Sequence, residues 1–128
     1  MSWQAYVDTN LVGTGHISKA AIHGLDGNPW ASSSGFTVTP AEAAALIAGC
    51  ADPTPMYSGI YIAGKKYMFL RNEPDRSVYG KEGSDNGCFV IKTGQCVLIA
   101  VYEGSNIQPR QAATVVEKLA DYLIEVGY

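Results

Sequence analysis

The side chains best suited to bind a ligand are five aromatic residues near the two ends of the chain. Trp3 and Tyr6 are three positions apart in a segment with a helical pattern, so they lie side by side on one helix face. Trp30 lies in the next predicted element, and Tyr122 and Tyr128 belong to the last helix and the C-terminal end. If the two terminal helices are neighbours, these aromatics form one cluster.

Such a cluster suits a segment in the polyproline II conformation. A segment in that conformation has no internal hydrogen bonds, so its backbone carbonyls are free acceptors. Its proline rings form flat apolar ridges. Trp and Tyr rings pack against those ridges, while indole N–H and phenol O–H groups donate to the carbonyls. The alternative is that the aromatics fill a core, since Trp3 shares an apolar stripe with Val7 and Leu11. Tyr122 lies at the edge of its helix's apolar face, but spacing alone leaves both interpretations open.

The cysteines lack the surroundings of a nucleophile or a metal ligand. Cys50, Cys88 and Cys96 show no Cys-x-x-Cys or Cys/His spacing. Cys50 follows the predicted end of a helix, where the dipole disfavours a thiolate. The other two fall in or beside predicted strands and are expected to be buried. An odd number of cysteines, with no secretory leader evident, predicts reduced thiols and a cytoplasmic protein.

Other catalytic or cofactor-binding patterns are also missing from the sequence. His16 and His23 have no metal-ligand spacing and are expected at turn or surface positions. The run Gly13-Thr14-Gly15 follows a helix instead of opening one, so it is not a phosphate-binding loop. We therefore predict a protein that is not an enzyme and that requires no metal and no cofactor.

Length and composition predict one globular domain over residues 1–128. The chain has 128 residues, of which 47% are hydrophobic and 16% charged, and a single domain typically spans roughly 100–200 residues. No stretch approaches the roughly 20 apolar residues of a membrane span. The net charge of −3 argues against nucleic-acid binding and leaves only a local basic patch for an anionic partner.

Three helices are indicated by periodicity and end signals. The first is predicted from Trp3 to about Val12, with Ser2 as N-cap and glycines beyond its end. The second begins at the capping box Thr39-Pro40-Ala41-Glu42 and ends at Gly49. The third is predicted from about Pro109 toward Val126, with an apolar face comprising Ala112, Val115, Val116, Leu119, Ala120 and Leu123.

Between the helices the sequence indicates an antiparallel sheet. Residues 20–32 are typical of a hairpin with Asp26-Gly27 in its turn. Residues 52–55 form a loop because prolines cannot donate to a ladder. Five further strand-like runs are bounded by turn residues, at 59–63, 66–71, 77–81, 88–92 and 97–102. Their short connections predict antiparallel pairing, so the fold class is α+β, with helices on a sheet of about five to seven strands.

Three separated blocks of the sequence resemble the profilin family. They are the N-terminal Ser2-Trp3-Gln4-Ala5-Tyr6-Val7-Asp8, the run Ala21 to Ala31 containing Gly27-Asn28-Pro29-Trp30-Ala31, and the C-terminal Val115 to Ile124. The resemblance covers essentially the whole chain and is greatest to the short amoebal and plant members. It implies a profilin-like arrangement, with the N- and C-terminal helices adjacent on one face of the sheet and a further helix on the other.

The resemblance also implies binding residues for two macromolecular partners. The polyproline-binding residues would be Trp3, Tyr6, Trp30, Tyr122, Leu123 and Tyr128. The residues facing monomeric actin would be Lys66, Arg71, Lys81, Ile107, Gln108, Arg110, Ala113, Glu117 and Lys118. At about 100° per residue, Ala113 and Glu117 lie roughly 140–180° from Tyr122, so one helix can serve both partners.

Phosphoinositide head groups are a third ligand that the resemblance suggests. The candidate cations are Lys65, Lys66, Arg71, Arg76, Lys81 and Arg110. The alternative is that these cations form an ordinary solvated surface, and the net negative charge favours it over strong membrane attraction.

The leading hypothesis is a cytoplasmic, cytoskeleton-associated monomer that binds actin monomers and proline-rich proteins such as formins. On the resemblance, it would regulate actin polymerisation and speed nucleotide exchange on actin. A second hypothesis is a proline-motif adaptor with little actin affinity. A third is a small-ligand sensor domain of similar layout, which would require a closed internal cavity.

Overall fold

The computed structural model describes residues 2–128, in which seven strands form one antiparallel sheet. Their order across the sheet is β2-β1-β7-β6-β5-β4-β3, so every neighbour except β1–β7 is also consecutive in the chain. The strands are β1 Lys19–Gly24, β2 Pro29–Ser32, β3 Ile60–Ile62, β4 Lys65–Glu73, β5 Ser77–Glu82, β6 Asn86–Lys92 and β7 Cys96–Tyr102. The predicted α+β class and strand number are confirmed.

The N-terminal helical segment, α1, changes its winding along its length. Trp3–Ala5 is α-helical, Tyr6–Leu11 has the wider π-type winding, and Val12–Thr14 is a 3-10 turn. The Ser2 hydroxyl accepts from the Ala5 N–H at 3.1 Å, as a predicted N-cap should. Gly15 ends the segment with a φ of 82°, which glycine adopts without the steric cost of a side chain.

The second helix, α2, spans Pro40–Ala51 and begins with the predicted capping box. The Thr39 hydroxyl accepts from the Glu42 N–H at 3.1 Å, and the Glu42 carboxylate accepts from the Thr39 N–H at 3.0 Å. The same carboxylate also accepts from the Gly64 N–H at 2.9 Å, so it joins α2 to the β3–β4 turn. The helix runs two residues beyond the predicted end, and Cys50 therefore lies inside its last turn.

The third helix, α3, spans Pro109–Glu125 and lies beside α1 on one face of the sheet. Val7 and Leu11 of α1 share a core with Val116, Leu119 and other apolar side chains of α3, over one face of β1, β6 and β7. The opposite face packs on α2 through a second core. The central strands are thus apolar on both faces, as a sheet covered by helices on each side requires.

His23 is a correction to the sequence prediction, which expected a turn or surface position. It lies in β1 and is only 1% exposed. Its Nδ1 is 2.9 Å from the Gly27 carbonyl oxygen, so the hairpin turn that follows β1 provides its polar partner. A strand covered on both faces has no solvent side, and this is why the histidine is buried.

No helix within residues 2–128 is both long enough and apolar enough to span a bilayer.

Candidate functional site

Five aromatic side chains from α1, β2 and the C-terminal end meet at one surface, which we call the aromatic cluster: Trp3, Tyr6, Trp30, Tyr122 and Tyr128. Trp3 is its centre. The Trp3 ring centroid lies 4.7 Å from that of Trp30, 5.0 Å from Tyr128 and 5.5 Å from Tyr6. Tyr6 in turn lies 6.3 Å from Tyr122, so the rings form a continuous aromatic surface across the two terminal helices.

The exposure of these rings decides between a binding surface and a core. Trp30 is 37% exposed, Tyr128 41% and Tyr122 48%, although a core aromatic loses nearly all of its accessible surface. Trp3 and Tyr6 are half-buried and pack against the core beneath. The cluster therefore rests on the core without belonging to it. Leu123 is fully buried, so it supports the cluster from below and presents no surface of its own.

The cluster is positioned by contacts between elements that are far apart in the chain. Gln4 on α1 donates from Nε2 to the Ser32 carbonyl oxygen at 2.8 Å, which fixes α1 against β2 beside Trp30. On the other side, α1 packs against α3, which carries Tyr122. Partial removal from water raises the pKa of the Tyr6 phenol, and the neighbouring Tyr122 raises it further. Since an ordinary tyrosine phenol is already protonated at neutral pH, Tyr6 is available there as a hydrogen-bond donor.

A cleft of about 350 Å³ continues from the cluster between α1 and α3. Its floor is apolar, formed by Val115 and Leu119, and Tyr6, Asn10, Lys118 and Tyr122 complete its walls. Lys118, which the resemblance assigned to the actin side, thus lies next to the aromatic cluster. The reason is helical geometry, because residues four apart such as Lys118 and Tyr122 share one helix face.

A second groove, of about 510 Å³, lies on the other side of α3, between that helix and the sheet. It brings together four residues of the predicted actin side, Arg71, Arg110, Ala113 and Glu117. We call it the sheet–helix groove. The helical wheel predicted that Glu117 and Tyr122 lie on different sides of α3. The structure agrees, because Tyr122 lines the cleft toward α1 and Glu117 lines the sheet–helix groove.

A hydrogen-bonded network forms one wall of the sheet–helix groove. The Tyr79 hydroxyl donates to the Glu117 carboxylate at 2.5 Å, and the Arg76 guanidinium donates to the same carboxylate and to Asp121. Arg71 lies over the Tyr79 ring, 4.5 Å from its centroid, in a cation–π contact. Burial, and then the Glu117 carboxylate, raise the pKa of Tyr79 to about 12. Sequence inspection did not single out Tyr79, which nothing in its strand pattern distinguishes from a core tyrosine.

Apart from Lys118, the remaining residues of the predicted actin side lie around this groove. Lys66 and Lys81 line a neighbouring hollow of about 330 Å³, together with the exposed side chain of Met68. Gln108 precedes the first residue of α3, and Ile107 packs partly against the core.

The six predicted phosphoinositide-binding cations fall into two groups. Lys65 pairs with Glu82 at 3.2 Å and with Glu103 at 3.6 Å, and Arg76 pairs with Glu117 and Asp121 as described above. The charges of these two cations are therefore balanced locally. Within residues 2–128, the other four form no ion pair: Lys66, Arg71, Lys81 and Arg110.

The chain is similar to known proteins in both sequence and structure. The sequence profile of the family described as Profilin matches residues 1–128. The chain belongs to the profilin family. Profilin-2 of Acanthamoeba castellanii is 56% identical over 129 residues and is covered completely, as is this chain. The crystal structure of Acanthamoeba castellanii profilin II superimposes with a TM-score of 0.93 at 55% identity, over 99% of this chain and 100% of that one.

Two more distant profilin structures share the fold. Mouse profilin IIa, in complex with a double repeat from the FH1 domain of mDia1, has a TM-score of 0.81 at 21% identity and covers all of both chains. LokiProfilin1, in complex with rabbit actin, has a TM-score of 0.72 at 18% identity, over 93% of this chain and 91% of that one. Profilins are actin-binding regulatory proteins and not enzymes, which confirms that part of the sequence prediction.

Proposed function

We propose that this chain binds actin monomers and proline-rich segments at two separate sites and so regulates actin polymerisation in the cytoplasm. The observation that carries the proposal is the aromatic cluster, in which Trp3 touches three other exposed or half-exposed rings. Exposed aromatic surface of this kind is otherwise unfavourable, and the proline ridges of a polyproline II segment are a ligand that would cover it.

The distances between neighbouring ring centroids fit the repeat of a polyproline II ligand. Neighbouring centroids in the cluster are 4.7 to 6.3 Å apart, and a polyproline II helix rises about 3.1 Å per residue. Each step between rings therefore corresponds to roughly one and a half to two residues of the ligand. The mouse profilin IIa structure, solved with an FH1 repeat, supports a formin-type proline-rich partner.

We place the actin-binding site at the sheet–helix groove and its surroundings. The groove combines cations, apolar surface and the Glu117 carboxylate, and the exposed side chains of Met68 and Leu70 extend it along β4. Mixed apolar and charged surfaces are typical of protein–protein interfaces. The complex of LokiProfilin1 with rabbit actin supports this partner. Faster nucleotide exchange would follow if the protein binds one nucleotide-cleft state of actin more tightly than the other.

Because the two sites lie on different sides of α3, we propose that both ligands bind at once. Tyr122 lines the cleft toward α1, whereas Glu117 lines the sheet–helix groove. The protein would then hold an actin monomer while a proline-rich partner holds the protein, which is how such a partner could deliver actin to a filament end.

We assign weak binding of phosphoinositide head groups to the four cations that have no ion-pair partner among residues 2–128. Lys66, Arg71, Lys81 and Arg110 lie on or near the proposed actin side, so lipid and actin would compete. Cosedimentation with vesicles containing phosphatidylinositol bisphosphate tests this. We expect an Arg71→Ala, Arg110→Ala double variant to lose binding. Equal binding by that variant and the wild type would exclude these cations as the lipid site and show that they are an ordinary solvated surface.

Retention on poly-L-proline resin tests the aromatic cluster. Trp3→Ala removes the central ring and should abolish retention. Tyr61→Ala is the matched control, because Tyr61 is an aromatic of similar exposure, 52%, on the distant strand β3. Retention of the Trp3 variant at wild-type strength would exclude the cluster as the binding site.

Sedimentation of actin filaments tests the second partner. Increasing amounts of the protein should raise the unpolymerised fraction of actin, because a bound monomer is withdrawn from the filament equilibrium. A proline-motif adaptor without actin affinity would leave that fraction unchanged.

A further inference from the structure

The β6–β7 turn makes direct hydrogen bonds to the end of the chain. We call residues Thr93, Gly94 and Gln95 the clamp turn. The Thr93 hydroxyl donates to the Tyr128 backbone oxygen at 2.7 Å, and the Gln95 N–H donates to the same oxygen at 2.5 Å. The Gln95 side chain donates from Nε2 to the Gly127 carbonyl oxygen at 2.6 Å.

These bonds fix the position of Tyr128, which has few other contacts that could do so. Tyr128 lies beyond the end of α3, after Gly127, which has a φ of 100°. Its ring is 41% exposed, so burial alone fixes it poorly. The Tyr128 N–H donates to the Leu123 carbonyl oxygen at 2.7 Å, and the clamp turn holds the other side of the same residue. The ring is thereby presented edge-on to Trp3, at 87° between planes.

The clamp turn also touches the opposite side of the aromatic cluster. The Gln95 carbonyl oxygen accepts from the Leu25 N–H at 3.3 Å, in the connection between β1 and β2. Trp30 follows a few residues later in β2. One short turn therefore contacts the two segments outside α1 that carry ring neighbours of Trp3, namely the segment of Tyr128 and the hairpin of Trp30.

We propose that the clamp turn is a positioning element for proline-rich ligands, with the Thr93 hydroxyl as its principal side-chain contact. The inference rests on the proposed function, because it concerns the same aromatic cluster. Thr93 is only 5% exposed, so water does not compete for its hydroxyl. By fixing Tyr128 before the ligand arrives, the clamp turn removes the entropy loss of ordering that ring on binding.

The test is a tryptophan-fluorescence titration with poly-L-proline on three variants. Thr93→Val keeps the shape of the side chain and removes the hydroxyl, which also accepts from the Cys96 N–H at 3.2 Å. We expect affinity to fall about fivefold, the effect of one net hydrogen bond to Tyr128. Thr93→Ser restores the hydroxyl and should bind within about twofold of the wild type. Tyr128→Ala removes the ring that the clamp positions while keeping the backbone oxygen that accepts the bonds.

A double-mutant cycle separates positioning from general destabilisation. If Thr93 acts through the Tyr128 ring, Thr93→Val should cause no further loss of affinity in the Tyr128→Ala background. An equal fivefold loss in both backgrounds, or wild-type affinity of Thr93→Val alone, overturns the inference. Failure of the wild-type protein to bind poly-L-proline at all would instead overturn the proposed function.

Discussion

Replacing Tyr79 by phenylalanine should measure the strength of the network beside the sheet–helix groove. The substitution removes only the hydroxyl that donates to Glu117 at 2.5 Å. The edge-on packing on Phe89, at 4.9 Å between centroids, and the position of the ring beneath Arg71, at 4.5 Å, are preserved. Any change in stability therefore reports on the hydrogen bond.

The magnitude follows from the surroundings of the bond. Hydrogen bonds to charged groups contribute roughly 1.5–3 kcal/mol, and more is lost when a buried partner is left unpaired. Here Glu117 keeps its bonds to Arg76 and is partly exposed, so we expect a loss at or just below the lower limit of that range, about 1–1.5 kcal/mol. At about 2.1 cal/mol/K of unfolding entropy per residue over a chain of 128 residues, this corresponds to a fall in Tm of about 4–6 °C.

Thermal and urea unfolding of the two proteins provide the assay. Glu117→Gln removes the charge of the acceptor, and in that background the Tyr79→Phe substitution should cost clearly less. A Tm change below about 1 °C would refute the reasoning, as would an equal loss in both backgrounds.

Two further predictions concern stability and reactivity. Glu42→Ala should destabilise the protein by about 2 kcal/mol in urea unfolding, more than the roughly 1 kcal/mol of an isolated cap, because this carboxylate accepts from the Ala63 and Gly64 N–H groups as well as from the Thr39 N–H. A loss of the same size for Thr39→Ala would show that the contacts to the β3–β4 turn contribute nothing. Burial raises the pKa of the Cys50 thiol to about 11 and that of Cys88 to about 12, and it also raises the pKa of Cys96. The native protein at pH 8 should therefore react slowly with a thiol reagent, because the thiolate is the reactive form. Rapid modification of one cysteine in the folded state would contradict this.

The fold was predictable from local signals that the tertiary structure does not override. The capping box at Thr39 and the proline at the first position of α3 fix where helices begin, because they satisfy or remove otherwise unpaired N–H groups. Turn residues between short apolar runs likewise predicted where the strands begin and end. The aromatic cluster was predicted only on the condition that the terminal helices are neighbours, an adjacency that the family resemblance implied and that residue spacing alone left open.

Features that depend on packing were not predictable from the sequence. The burial of His23 follows from the covering of β1 on both faces of the sheet, which local patterns do not encode. The π-type winding of α1 depends on how that segment packs against its neighbours, whereas the position of Lys118 beside Tyr122 follows from their spacing of four on α3 and could have been predicted. The clamp turn joins residues more than thirty positions apart in the chain, and nothing near Thr93 indicates a partner at Tyr128.

The most direct test of the account is whether actin and a proline-rich segment bind together. Fluorescence anisotropy of a labelled proline-rich peptide, titrated with the protein alone and with the protein saturated by monomeric actin, measures this. Because the aromatic cluster and the sheet–helix groove lie on different sides of α3, we predict that the peptide affinity changes by less than about twofold and that the final anisotropy rises with the larger complex. Release of the peptide when actin is added, or no peptide binding in either titration, would contradict the account.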